Sequence, residues 1–264
     1  MTTRLYVYAV CPGTPESTEA VDAVLAGVTG VAGGPVTTIG VEGLLAVVGE
    51  VPAEEFSEDR LEQRMQDLPW LATTARAHHA VVDELGRRTA VAPLSLATVF
   101  LDGDRVRAAL AERRDRLTAV LDRVRGRAEW GVKAFRPAGP PPGARAARDR
   151  PSSGAEYLRR RRAEVDATRN RDDDAERSAT ALFDAVAAVS AGARRHPLHD
   201  ASLTGREEPM VLNAAYLVPE DDAGTWCDAV EQAAPDTLLV EITGPWVPYS
   251  FTEAPDPVDG MAGP

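Results

Sequence analysis

The segment LLVEITGPWVPYSF, residues 238–251, changes character halfway along its length. Apolar side chains at every second position from Leu238 to Ile242 predict a strand with one buried face. Gly244 and Pro245 come next, and proline is confined to the ends and edges of sheets, so they predict the end of the strand. The rest of the segment holds three aromatic side chains within six positions. The strand and the aromatic cluster therefore need separate interpretations.

Trp246, Tyr249 and Phe251 form this cluster, in a chain that has only 4 Trp, 5 Tyr and 5 Phe in 264 residues. One interpretation is that the three side chains fold back and close the core of the C-terminal domain, since large aromatic residues bury most of their area. The other is that they anchor a partner, since Trp and Tyr are enriched at interaction hot spots. Both interpretations stay open, and we take these residues, with Trp130, as candidate partner-binding residues.

Length and composition predict a soluble globular protein of one large or two ordinary domains. Of the 264 residues, 44% are hydrophobic and 27% are charged, which is typical of a folded chain. No apolar run approaches the roughly 20 residues that span a bilayer. The N-terminus has no signal-peptide pattern, so we expect a cytoplasmic protein. The net charge of −12 argues against nucleic acid and anionic membranes as partners.

The sequence offers few residues for catalysis or for metal binding. Cys11 and Cys227 are isolated thiols, without the paired spacing of a zinc site or of a disulfide framework. The glycine-rich phosphate-binding motifs and the nucleophile motif of hydrolases do not occur. We therefore expect no cofactor, no metal and no enzymatic activity.

His78 and His79 support a rival hypothesis. Neighbouring residues of a helix point about 100° apart, so these two histidines do not ligate one ion easily from the same face. His78 also lies on the apolar stripe of its predicted helix, which is typical of a hydrogen-bonded core histidine. The rival hypothesis is a small-ligand-binding or catalytic α+β domain that uses His78, His79 and Glu84 near a pocket.

Two charge runs, RRRR at 159–162 and DDD at 172–174, lie in one long predicted helix. Consecutive carboxylates on a helix point in different directions, which disfavours a magnesium site. Basic and acidic residues nearly balance along this helix, which disfavours an RNA-binding patch. Intrahelical pairs such as Arg162 with Asp166 explain the runs as a solvated helical face.

Periodicity and capping residues predict an α+β fold. Strands are expected at residues 4–10, 36–51 (a hairpin around Glu42-Gly43), 89–100, 129–135, 209–219 and 238–243. Helices are expected at residues 57–85, with Ser57 as the N-cap and a kink or break at Pro69, and at residues 102–125, with Asp102 as the N-cap. Two further helices are expected at residues 155–193 and 223–234. The first half of the 155–193 helix offers only Leu158 and Val165 for an apolar stripe, so we expect part of it to project into solvent.

Changes in composition divide the chain into two expected domains with a tail. Residues 1–128 form an N-terminal α/β domain, and residues 129–251 form a C-terminal domain. Within the second domain, residues 136–154 are rich in Pro, Gly and Arg and are expected to form a flexible loop. Residues 252–264 are acidic and without periodicity, which predicts a disordered tail.

Seven stretches of the chain occur in the order seen in the gas vesicle GvpL/GvpF family, and the resemblance extends from about residue 4 to residue 251. The strongest pair is WGVKAF (130–135) with TGPWVPYSF (243–251); the others are LYVYAV (5–10), ARAHHAVVDEL (75–85), TAVAPLSLATVF (89–100), GAEYLRRRR (154–162) and VLNAAYLVP (211–219). The family usually has an Arg-Phe-Gly run before its threonine, where this chain has LSLAT (94–98).

The resemblance implies a non-enzymatic accessory protein of gas vesicle formation, built from two α/β parts of which the second is similar to a ferredoxin-like domain. Its implied partners are the small hydrophobic shell protein and other gas vesicle accessory proteins, and its implied location is the cytoplasm, in association with gas vesicles. An early partner of an apolar, strand-rich shell subunit must offer it an apolar patch or an unpaired sheet edge. The resemblance thus implies help with nucleation or assembly of the vesicle.

Overall fold

The computed structural model describes residues 2–137, 154–200 and 205–252. Almost all of the predicted loop at 136–154, and the predicted tail beyond residue 252, lie outside these residues. Contacts group the chain into two units. Unit 1 combines the residues up to Ala128 with those from Trp246 onward, and unit 2 extends from Glu129 to Pro245.

Unit 1 contains an antiparallel sheet in which β1 is central. Its strands are β1 (Thr3–Pro12), β2 (Val36–Val41), β3 (Leu44–Pro52), β4 (Ala92–Pro93) and β5 (Val99–Phe100), in the order β2-β3-β1-β4, with β5 also paired to β1. The turn between β2 and β3 has positive φ at Glu42 and Gly43, at 45° and 85°. Two consecutive positive φ angles are what a tight two-residue hairpin requires, so the predicted hairpin is confirmed.

Five helices flank this sheet. They are α1 (Pro15–Leu25), α2 (Glu58–Arg64), α3 (Leu68–Gly86), α4 (Gly103–Glu112) and α5 (Arg114–Val124). The predicted break near Pro69 is confirmed, because proline sits in the first turn of α3, where its missing N–H costs nothing. The predicted cap at Asp102 is also confirmed, since its side chain accepts a hydrogen bond from the Arg105 N–H. The predicted cap at Ser57 makes no side-chain hydrogen bond.

The sheet of unit 1 is buried on both faces, and a β-bulge in β1 changes the face on which the later side chains of this strand lie. Its pairing with β3 slips between Val7 and Ala9, so Tyr8 is the extra residue in the strand. Tyr8 and Ala9 consequently both join the core under α1, α2 and α3, whereas Val7 and Val10 join the core under α4 and α5. A strict alternation would have put Ala9 on the same face as Val7.

Residues 89–100 form less strand than predicted. Only β4 and β5, of two residues each, pair with β1, and a turn separates them. Within that turn Ala97 has φ of +64°, a left-handed conformation that L-residues with a Cβ rarely adopt. The prediction of one strand across 89–100 is therefore wrong, because the chain turns between its two points of contact with β1.

Unit 2 has the βαββαβ order of a ferredoxin-like domain. Its elements are β6 (Arg127–Phe135), α6 (Gly154–Ala188), β7 (Gly192–Arg195), β8 (Met210–Pro219), α7 (Ala223–Ala233) and β9 (Leu239–Trp246). The strand order is β7-β8-β6-β9, with β7 antiparallel to β8. The predicted α+β class and the ferredoxin-like second domain are confirmed, although the sequence pattern missed the short strand β7.

The long helix α6 packs on the sheet of unit 2 only through its C-terminal half. The side chains that it buries there are Ala175, Ala179, Leu182 and Val186. Leu158 in the N-terminal half is 68% exposed, and Val165 is also exposed. The prediction that part of this helix projects into solvent is confirmed. None of the described helices is both long and apolar enough to cross a membrane.

The second expected domain, 129–251, differs from unit 2 at its C-terminal end. From Trp246 onward the chain groups with unit 1, because Val247 and Tyr249 pack against the core under α3. The hypothesis that the C-terminal aromatic residues close the core of the second domain is therefore wrong for Tyr249. The sequence pattern could not show this, since it indicates that a side chain is buried but not which core receives it.

Candidate interaction surface

The segment from Trp246 to Thr252, which we call the C-terminal segment, is fixed on unit 1 first through Val247. Gly86, the last residue of α3, lies directly beneath this side chain. A Cβ added to Gly86 would lie 2.7 Å from Cγ2 of Val247, which is closer than two non-bonded carbon atoms can approach each other. Gly86 is still helical and the C-cap is Arg87, so the contribution of this glycine is the room that it leaves for the C-terminal segment.

Tyr249 provides the second attachment. Its ring stacks on the imidazole of His79 in α3, with centroids 5.0 Å apart and an angle of 15° between the planes. Its hydroxyl is buried and has no hydrogen-bond partner among the described residues. Burial raises the pKa of this phenol, and the neighbouring charge of Asp83 raises it further. Tyr249 is thus a packing residue with a neutral hydroxyl.

Phe251 is a core residue rather than a surface anchor. Only 4% of its surface is exposed, and the guanidinium carbon of Arg123 lies 5.6 Å from the centre of its ring. A cation over an aromatic face is attracted by the ring quadrupole. Phe251 therefore attaches the C-terminal segment to α5, as Tyr249 attaches it to α3.

Trp130, the candidate from unit 2, lies partly buried against that unit's core. Its ring centre is 5.7 Å from that of Trp226, at a tilted angle. The indole N–H is buried and makes no hydrogen bond to a described residue. Trp130 is thus placed to stabilise the fold of unit 2, with little surface left for a partner.

Trp246 differs from the other three candidates because 51% of its surface is exposed. It is the last residue of β9 and the first of the C-terminal segment. Trp is among the residues most enriched at binding hot spots. The four candidates therefore do not form one cluster, and Trp246 is the one with surface available for a partner.

The strand that leads to Trp246 lies at the edge of its sheet. In the order β7-β8-β6-β9, the outer side of β9 has no strand beside it among the described residues. Edge strands present backbone N–H and C=O groups that can pair with an added strand. Leu239, at the other end of β9, is also exposed. Its apolar side chain breaks the alternation around Leu238 and Val240, a signal that could have identified it from the sequence.

His78 and His79 do not converge on one site. His78 is 3% exposed, and its Nδ1 lies 2.9 Å from the hydroxyl of Tyr6. Burial first, and then the neighbouring His79, lower the pKa of His78 to about 4, so the ring is neutral near neutral pH. His79 points out of the core and stacks on Tyr249. The arrangement is that of a core histidine beside a packing histidine.

The ionisable groups of the described chain show no catalytic arrangement around these histidines. A shallow cleft in unit 1 is lined by apolar side chains with two arginines and contains no histidine: Ala92, Pro93, Leu94, Arg113, Arg116, Leu117, Val120 and Thr252. Burial raises the pKa of both cysteine thiols, which disfavours the reactive thiolate. Within the described residues, no group of three His, Cys, Asp or Glu side chains could hold a metal ion.

Sequence comparisons give relatives for the whole chain. The profile of the family described as gas vesicle synthesis protein GvpL/GvpF matches residues 4–253. The chain is 40% identical over 257 residues to gas vesicle protein L of a Streptomyces species, covering 93% of this chain and 91% of the relative. It is 26% identical over 232 residues to gas vesicle protein F2 of Halobacterium salinarum, covering 86% and 84% of the two chains.

Comparison with solved structures also finds gas vesicle proteins. The crystal structure of gas vesicle protein GvpF from Anabaena matches with a TM-score of 0.65 at 17% identity, over 96% of this chain and 97% of that one. The crystal structure of GvpF from Microcystis aeruginosa matches with a TM-score of 0.61 at 16% identity, over 95% and 99%. At such low identity these two matches establish the shared fold.

Proposed function

The chain belongs to the GvpL/GvpF family of gas vesicle synthesis proteins, and we propose that it is a cytoplasmic assembly factor that binds the small hydrophobic shell protein and helps it to nucleate or assemble the vesicle. It acts through protein contacts alone and needs no cofactor. Other gas vesicle accessory proteins are its further partners.

The observation that carries this proposal is the exposed Trp246 at the end of the edge strand β9. A strand of the shell protein that pairs with β9 gains backbone hydrogen bonds. The indole of Trp246 supplies apolar contact area at the end of the same strand. An apolar, strand-rich subunit is protected from uncontrolled aggregation while its edge and its apolar side chains are covered in this way.

The surface charge of the chain supports the same role. Its net charge is −12, and a net charge far from zero keeps a protein soluble. An assembly factor that binds an aggregation-prone subunit must keep the complex in solution. The acidic surface contributes solubility, and the exposed strand edge contributes recognition.

Gene deletion and complementation test this function in a cell that makes vesicles. We expect a clean deletion, in a strain with no second copy of the family, to abolish vesicles, and the wild-type chain to restore them. The Trp246→Ala variant should fail to restore them at equal protein level. Leu68→Ala, which removes an exposed apolar side chain from α3, should restore them fully. Normal vesicle yield in the deletion strain would contradict the proposal.

A further inference from the structure

The N-terminal half of α6 extends beyond the body of unit 2. From residue 155 to residue 174 every side chain that the structure describes is exposed, whereas burial begins at Ala175. At 1.5 Å per residue, this part of the helix is roughly 30 Å long. Leu158 and Val165 are both exposed and lie seven residues apart, on nearly the same side of the helix. A helix with this much uncovered length and two exposed apolar side chains has room for a partner.

The charges of this part of α6 are separated into two blocks of opposite sign. Residues 158–171 carry six arginines and two acidic residues, and residues 172–176 carry four acidic residues and no basic one. The blocks therefore have formal charges of +4 and −4. The helix dipole does not account for this order, because its effect is confined to the first and last turns of α6 (Gly154–Ala188) and neither block lies there.

Ion pairs within the helix leave the order of the two blocks of formal charge unchanged. An arginine that precedes its acidic partner by four residues, as Arg162 precedes Asp166, is the weaker orientation of such a pair. The pairs that the structure contains near the acidic block link Asp174 with Arg177 and Asp172 with Arg136. These contacts lie at the acidic end and leave the separation of the two blocks unexplained.

We propose that the N-terminal half of α6 pairs with the same segment of a second copy of this chain, in antiparallel orientation. A two-fold axis near Ala167 places Arg161 at the level of Asp173 of the second copy, so each basic block meets an acidic block. It also brings the two Val165 side chains within about one helical turn of each other along the axis. A parallel pair would place like charges side by side. Charge complementarity thus favours a second copy of this chain as the partner, and it favours antiparallel over parallel pairing of the two helices.

This inference does not depend on the proposed role in vesicle assembly, because it uses neither Trp246 nor β9. Since the contact is mostly electrostatic, its strength depends on salt. The Debye length falls from roughly 30 Å to roughly 3 Å between about 0.01 M and about 1 M salt. We therefore expect a dimer at low salt that dissociates at high salt.

Sedimentation velocity on the full chain tests the pairing with two charge-reversed variants. The acidic variant carries Arg159→Glu, Arg161→Glu and Arg162→Glu, and the basic variant carries Asp173→Arg, Asp174→Arg and Glu176→Arg. Asp172 is kept because of its ion pair with Arg136, 2.9 Å long. Each variant alone should dimerise at least about tenfold more weakly than the wild type. An equimolar mixture of the two should form a dimer again.

Two further variants test whether dimerisation depends on charge pairing along α6. A chain that carries both sets of reversals has formal charges of −2 and +2 in the two blocks, which are again complementary, so it should dimerise more strongly than either single variant. A control chain has the same charge change on exposed arginines of unit 1, with Arg60→Glu, Arg76→Glu and Arg105→Glu, and should keep the wild-type dimer. A wild-type chain that stays monomeric at low salt, or a mixture and a doubly reversed chain that both stay monomeric, would overturn the proposal.

Discussion

Tyr249 stacks on His79, with the two ring centres 5.0 Å apart and their planes at 15° to each other. The tyrosine lies almost at the end of the described chain and the histidine on α3. The contact shows that residues after β9 belong physically to unit 1, together with Val247 at Gly86. The TGPWVPYSF motif thus contains packing residues of unit 1 and one exposed aromatic residue, Trp246.

The contact between Gly86 and Val247 predicts a coupled pair of substitutions. Gly86→Ala places a methyl group 2.7 Å from Cγ2 of Val247, so we expect a loss of about 1–3 kcal/mol in the free energy of unfolding. In a chain that already carries Val247→Ala the same substitution should cost much less. Hydrogen exchange of the α3 amides in the four chains measures the coupling, expected at about 1 kcal/mol or more. Additive effects would contradict the docking of the C-terminal segment.

Three tyrosines with buried hydroxyl groups predict different results for the same chemical change. The Tyr6 hydroxyl contacts His78 Nδ1 and accepts a hydrogen bond from the Ala97 N–H, so Tyr6→Phe should cost about 1–3 kcal/mol. The hydroxyls of Tyr249 and Tyr216 have no partner among the described residues. Tyr249→Phe and Tyr216→Phe should therefore change the free energy of unfolding by less than about 1 kcal/mol. Urea unfolding of the three variants checks this order, and an equal cost for all three would contradict it.

The buried His78 predicts a loss of stability in mild acid. Burial, and then His79, lower its pKa from 6.5 to about 4 in the folded chain, so the unfolded chain binds more protons between those two values. Stability from this group is therefore complete above pH 6.5 and falls as the pH drops to about 4, by roughly 3 kcal/mol at most. Urea unfolding across this range should show a smaller pH dependence in His78→Gln than in the wild type. The exposed His199→Gln is the control, and an unchanged slope in His78→Gln would contradict the account.

Ala97 predicts a stabilising substitution. It holds a φ of +64°. A Cβ makes this conformation unfavourable by roughly 1–2 kcal/mol, part of which the greater flexibility of glycine offsets. We expect Ala97→Gly to raise the melting temperature slightly, and Ala80→Gly in the exposed face of α3 to lower it. A lower melting temperature for Ala97→Gly would show that the turn does not strain this residue.

The sequence predicted elements best where local chemistry decides them. The Glu42-Gly43 turn, the break near Pro69 and the cap at Asp102 depend on backbone geometry or on a hydrogen bond within a few residues. Those features were found where they were expected. The exposed first half of α6 followed from its lack of an apolar stripe.

The sequence pattern did not predict the structural features that depend on contacts between residues far apart in the chain. The bulge at Tyr8 is set by pairing with β3, and it reverses the faces of all later residues in β1. Strand β7, with the sequence GARR, has no β-branched residue and exists because it pairs with β8. The packing of Tyr249 in unit 1 likewise depends on the space beside α3. Its aromatic character alone could not show whether it packs in the core of unit 1 or in that of unit 2.

The proposed contact of Trp246 with the shell protein is tested most directly by copurification. The chain is co-expressed with its cognate small shell protein, and wild type, Trp246→Ala and the control Leu68→Ala are compared for bound shell protein and for thermal melting. Because Trp246 is 51% exposed, we expect its substitution to leave the melting temperature unchanged and to remove most of the bound shell protein. Leu68→Ala should retain it. Full retention of the shell protein by Trp246→Ala would contradict the assignment of this residue as the anchor.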